Sequence, residues 1–186
     1  TIEQYNPATG GYLGIFSNDA FILGPKGITF GPDGNLFVAN SGYSVQPAQI
    51  VRVDAHTGAA IGIFATAPGS HYFNLITFGP NGNLFVSDLT VNSILQFDGT
   101  TGAYMGVFAT GGLSNPQAML FLPTGKLLVA SQLTNSVYQF DANTGAPLGV
   151  FIPAGTGGMT HPHGMALGPN GNVLVASIQT DAVLEF

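Results

Sequence analysis

The protein has 186 residues, of which 45% are hydrophobic and only 6% charged; its net charge is −6 and it has no cysteine. Lys26, Arg52 and Lys126 are its only strong cations, too few and too scattered to neutralise a run of phosphates, so neither nucleic acid nor an anionic lipid surface is an expected partner. Without cysteine there is no disulfide, thiolate metal site or thiol nucleophile, and with no apolar run of about 18 residues no membrane insertion is expected.

In chain order, the predicted elements are short strands separated by turn residues. "TIEQYN" and "GYLGIF" open the chain as two strands joined by "PATG". Three longer units follow, at 25–64, 73–108 and 116–151, and the chain closes on a shorter one at 162–186. Within 116–151 the division is plain: "PQAMLFL", a "PTG" turn, "KLLVAS", a "QLTN" bend, "SVYQFD", an "ANTG" turn and "APLGVF". Runs of about five residues rich in Val, Leu, Ile and Phe and bounded by Gly, Pro, Asn and Asp read as strands. They are named A to D within each unit. No segment carries a sustained helical period with caps.

The units are internal repeats. "FGPDGNLFVAN", "FGPNGNLFVSD", "FLPTGKLLVAS" and "LGPNGNVLVAS" recur, as do "QIVRVD", "SILQFD", "SVYQFD" and "AVLEF". Thr-Gly pairs stand at 9–10, 57–58, 101–102 and 144–145, and the period is roughly 43 to 48 residues. That period belongs to propeller blades. The strands also lack a wet side, since Val137, Tyr138 and Phe140 crowd both faces of one run. A sheet stacked between two neighbours has no need of polar alternation, which is the packing of a β-propeller. The fold expected is therefore all-β: a single propeller domain of four-stranded antiparallel blades, about four repeats, with a partial blade of strands C and D at 1–16 and another of strands A to C at 162–186.

The turns need no function. "G-P-D/N-G-N" supplies Pro for a fixed φ and Gly for a positive one, and in "D-x-x-T-G" the Asp carboxylate at 98 or 141 accepts local N–H groups. One carboxylate per loop falls short of the six or more oxygens that calcium takes. There is no G-x-S-x-G elbow, P-loop, G-x-G-x-x-G or H-E-x-x-H, and "GTGG" at 155–158 reads as a loop between blades. The phenylalanines at Phe16, Phe64, Phe108 and Phe151 occupy repeated positions and read as core rather than as sugar platforms.

The stretches "GPNGNLFVSDLTVNSILQFDGTTGAYMGVFATGG" and "FIPAGTGGMTHPHGMALGPNGNVLVAS" resemble NHL-type propeller repeats, most closely the bacterial secreted kind akin to streptogramin-lyase-like and gluconolactonase-like propellers. The resemblance covers essentially the whole chain and implies a channel mouth lined by the loops that lead into the A strands. Aligned there, "GPKGITF", "YFNLITF", "NPQAMLF" and "HPHGMAL" put Lys26, Asn74, Gln117 and His163 at one equivalent rim position, and the ends of the B strands add Asn40, Asp88, Ser131 and Ser177. These eight are the candidate binding residues; no catalytic residue is assigned. Asp88 reads as a polar strand terminus, because its equivalents are Asn and Ser. Lyase relatives use histidines near this rim, and an extended His161-Pro162-His163 would set two rings on one side of the chain. Two nitrogens are too few for a zinc set, so neither metal nor cofactor is expected. His56 and His71 read as surface residues.

Seventeen strands are one more than four blades need, and three completions are open: a closed four-blade ring, a piece of a longer propeller, or pairing with another copy. An unpaired apolar sheet edge is a template for another chain, and low charge suits surfaces covered by neighbours. The expectation is a non-enzymatic extracellular or cell-surface structural or binding module that assembles with itself, head to tail, into a homo-oligomer or filament. A metal-dependent lyase-like or lactonase-like enzyme with a site near His163, and a glycan-binding or small-molecule-binding propeller, are the alternatives.

Overall fold

The computed structural model describes residues 1–41 and 47–186. The unit expected at 25–64 contains residues 42–46, which lie outside the described residues. Among the described residues there are seventeen strands, as the repeats require. β1 (Ile2–Tyr5) and β2 (Tyr12–Ser17) form a two-stranded sheet. β3 (Pro25–Phe30), β4 (Leu36–Asn40), β5 (Gln49–Val53) and β6 (Ala60–Thr66) form the first four-stranded sheet. The second comprises β7 (Phe73–Phe78), β8 (Leu84–Asp88), β9 (Ser93–Phe97) and β10 (Tyr104–Ala109); the third comprises β11 (Pro116–Phe121), β12 (Lys126–Ser131), β13 (Ser136–Asp141) and β14 (Pro147–Ile152). β15 (Pro162–Leu167), β16 (Val173–Ser177) and β17 (Ala182–Glu185) make a last sheet of three. Every pairing is antiparallel between chain neighbours, so each sheet is a meander running from the A strand at the axis to the D strand outside. The protein is an all-β propeller fold. The helix-free expectation misses two single 3-10 turns, Thr156–Gly158 and Ile178–Thr180, which the left-handed Gly155 and Asp181 make at loop corners.

The sheets stack face to face, and the core is the set of layers between them. β4 and β8 are buried along their whole length, which explains the missing polar alternation. One layer joins Ile2 and Phe16 to Leu36, Val38, Val51 and Val53. The next joins Phe37 and Ile50 to Phe73, Leu84, Val86 and Phe97, and the third joins Phe85 and Ile94 to Leu127, Val129 and Phe140. The fourth joins Leu128, Val137 and Ile152 to Met159, Val173 and Val175. Phe37 and Phe85 bridge adjacent blades by edge-on ring contacts: Phe37 reaches Phe64 at 4.9 Å and Phe78 at 5.1 Å, and Phe85 repeats this with Phe108 at 4.8 Å and Phe121 at 5.1 Å.

The Asp-x-x-Thr-Gly turns close each C–D hairpin. Asp98 Oδ1 accepts from the Thr100 and Thr101 backbone N–H groups at 3.0 and 2.7 Å and from the Thr101 hydroxyl at 2.9 Å. Asp54 and Asp141 repeat the arrangement, and Asn6 accepts two backbone N–H groups in the first hairpin. The Thr N–H bonds, then the Thr hydroxyls, hold all three Asp carboxyls below the ordinary Asp value. A depressed carboxyl adds stability that is complete above the unfolded-state value, about 3.9, and is lost as pH falls through the lowered folded-state values. The wild type should therefore lose urea resistance between pH 5.5 and pH 3, and a Thr101→Val, Thr144→Val double variant should lose less over the same interval. Equal losses would detach these turns from the acid response.

Candidate channel-mouth site

The A strands line a central channel of about 370 Å³, with Gly27, Leu75, Ala118 and Gly164 among its wall residues. Register places the two groups of candidate residues at one end of it. Pro25 pairs with Asn40, Phe73 with Asp88, Pro116 with Ser131 and Pro162 with Ser177. Lys26, Asn74, Gln117 and His163 each stand one residue further along the A strand.

On that rim the polar groups are joined between blades. The Asn74 carboxamide, buried on β7, donates to Gln117 Oε1 on β11 at 2.7 Å. Gln117 Nε2 donates to Asn115 Oδ1 at 2.9 Å and Gln132 Oε1 at 3.3 Å, and Asn115 Nδ2 donates to Gln132 Oε1 at 2.7 Å. The result is a chain of carboxamides across two blades. Lys26 lies at the mouth with its ammonium 5.6 Å from the Tyr72 ring centre. His163 is half-buried on β15.

The B-strand termini tie down the loops that enter the A strands. Asn40 Nδ2 donates to the Phe21 carbonyl at 2.6 Å. Ser131 Oγ accepts from Ser114 N–H at 2.9 Å, and Ser177 Oγ accepts from Thr160 N–H at 3.0 Å. Asp88, fully buried, accepts from Thr90 and Val91 N–H groups through Oδ1 and meets His71 Nδ1 through Oδ2 at 2.7 Å. His71 is thus not the surface residue the sequence suggests. Its side chain is 8% exposed, and its Nε2 lies 2.9 Å from the Pro68 carbonyl. A carbonyl only accepts, and so does a carboxylate, so both ring nitrogens carry hydrogen and the pair is imidazolium and carboxylate.

The histidine pair at 161 and 163 also differs from expectation. His161 has φ 49°, in the left-handed region, so 161–163 is not the extended segment that sets both rings on one side. The reason is a staple between blades. Asn135, itself left-handed in the B–C turn, accepts the His161 N–H through Oδ1 at 2.7 Å, and Asn92 does the same for Asn115 at 2.7 Å. Among the described residues no three His, Asp or Glu side chains gather to hold a metal ion. The staples and the partners Asn115 and Gln132 escape sequence reasoning; the recurring "N-S" at 92–93 and 135–136 is the signal that carries the former.

No protein-family model and no curated protein matches the chain. Solved structures do. A catalytically inactive virginiamycin B lyase from Staphylococcus aureus, solved with quinupristin, superposes with a TM-score of 0.71 at 15% identity, over 99% of this chain and 61% of that one. A streptogramin B lyase gives 0.69 at 19% identity, over 95% of this chain and 58% of the other. A putative gluconolactonase gives 0.65 at 16% identity, over 87% and 59%. The chain thus has the fold of these propellers and spans about three-fifths of their length.

Proposed function

We propose, from the premise that this chain is an arc of a β-propeller, that it serves as a non-enzymatic structural or binding module, extracellular or at the cell surface, whose working form is an assembly of copies. The observation that carries this reading is that both ends of the stack present apolar sheet faces to solvent. Val183 in the last sheet is 71% exposed, and Phe30 in the first four-stranded sheet is 67% exposed. Exposed apolar patches of this kind mark interaction sites. The rim fits the same reading: Asp88, Ser131, Ser177 and the carboxamides of Asn74 and Gln117 spend their hydrogen bonds on neighbouring loops. A second reading, a lyase-like or lactonase-like activity using His163, is favoured by the fold shared with the virginiamycin B lyase and the putative gluconolactonase.

Sedimentation velocity separates the two. The expected result is a concentration-dependent series of species above 19.1 kDa. A single 19.1 kDa species at every concentration overturns the reading. If that species also turns over quinupristin or a simple lactone, and His163→Ala stops it, the second reading takes its place.

A further inference from the structure

The interface that the chain repeats inside itself is left half-made at each end, and the two halves are complementary. On the third four-stranded sheet, Leu128 and Val137 are fully buried because Val173, Val175 and Met159 of the next sheet cover them. The repeat places Leu174 and Val183 at the same positions in the last sheet. Register confirms the match: Val137 pairs with Ala130, and Val183 with Ala176. Yet Leu174, Ala176 and Val183 line an open depression of about 310 Å³. At the other end Ile28 and Phe30 are 52% and 67% exposed. With Ile2, Phe16 and Leu36 they line an apolar cleft of about 270 Å³.

We infer that the open face of β15–β17 in one copy docks into the cleft between β1–β2 and β3 of a second copy of this chain. This rests on the assembly reading above and says which surfaces meet. Three observations select a second copy as the occupant. First, all four core layers pair one sheet of this repeat with another, so the Leu174 and Val183 face is built for such a sheet. Second, the chain itself exposes the complementary half, at the opposite end of the stack. Third, residues 142–180 contain no Lys, Arg, Asp or Glu, so little charge has to be stripped of water when the face is covered. Glu3 is the charged residue bordering the cleft, and it is engaged by the Tyr5 hydroxyl at 3.0 Å. The contact joins two different surfaces, so it propagates head to tail and gives a ring or a filament according to whether the rotation closes.

The test is complementation between two defective faces, Val183→Asp on the docking face and Phe30→Asp in the cleft. Both residues are exposed, so urea midpoints should match the wild type. Each variant alone should sediment as a monomer where the wild type assembles. An equimolar mixture should form a heterodimer and stop there, because each variant keeps one good face. Val107→Asp, on the exposed outer strand β10, should assemble as the wild type does. Assembly of the wild type that survives both Val183→Asp and Phe30→Asp, or that only Val107→Asp disperses, overturns this interface and leaves the assembly reading standing. A monomeric wild type overturns both.

Discussion

Gly145→Ala is expected to cost about 2–6 kcal/mol, a large part of the 5–15 kcal/mol that holds a domain of ordinary stability together. Two causes add. Gly145 has φ 71°, which an L side chain adopts only under strain of about 1–3 kcal/mol. Its Cβ would also sit 1.8 Å from the Phe108 carbonyl oxygen on the outer strand of the preceding blade. The turn and that strand must then separate, an overpacking cost of about 1–3 kcal/mol more. Gly102 approaches the Phe64 carbonyl in the same way at 2.0 Å, so the contact is a repeated joint between blades. Gly125→Ala is the control: φ is 78°, and nothing lies within 4 Å of the added carbon. Urea denaturation should rank Gly145→Ala well below Gly125→Ala. Equal losses would show that the backbone conformation matters and the joint does not.

Asp88→Ala should cost about 3–5 kcal/mol, the usual price of leaving one half of a buried ion pair. The carboxylate accepts from two backbone N–H groups and from His71, and all three donors would lose their acceptor. Asp88→Asn should cost far less, about 1 kcal/mol. Its carbonyl still serves Thr90 and Val91, while its N–H group donates to a His71 that has become neutral at Nδ1 and keeps the bond from Nε2 to Pro68. Urea midpoints measure the costs, and nitrogen chemical shifts of His71 check the proton count: two hydrogens in the wild type, one in Asp88→Asn. An Asp88→Ala loss below about 1 kcal/mol would mean that the pair does not hold the loop.

The candidate residues divide by the range of the interaction that defines them. Asp98 and Asp141 were readable as turn residues, because their partners lie within three positions in the chain. The common position of Lys26, Asn74, Gln117 and His163 was readable because a repeat carries its own register. Their partners were not. Asn74 meets Gln117 across 43 positions, and Asn135 holds the His161 backbone across 26. No local pattern announces such pairs. The errors follow the same line: His71 and the His161-Pro162-His163 segment were read from local chemistry, and contacts with distant residues, Asp88 and Asn135, set both.

From sequence alone came the strand runs, the blade period, the turn chemistry and the burial of both sheet faces, because each depends on side-chain volume and backbone preference repeated at short range. Tertiary structure decided which polar residues at the channel mouth face a partner and which face solvent. It also decided that the stack ends on two uncovered apolar faces. Both outcomes depend on how one blade sits against the next, and that packing geometry is not encoded within any single repeat.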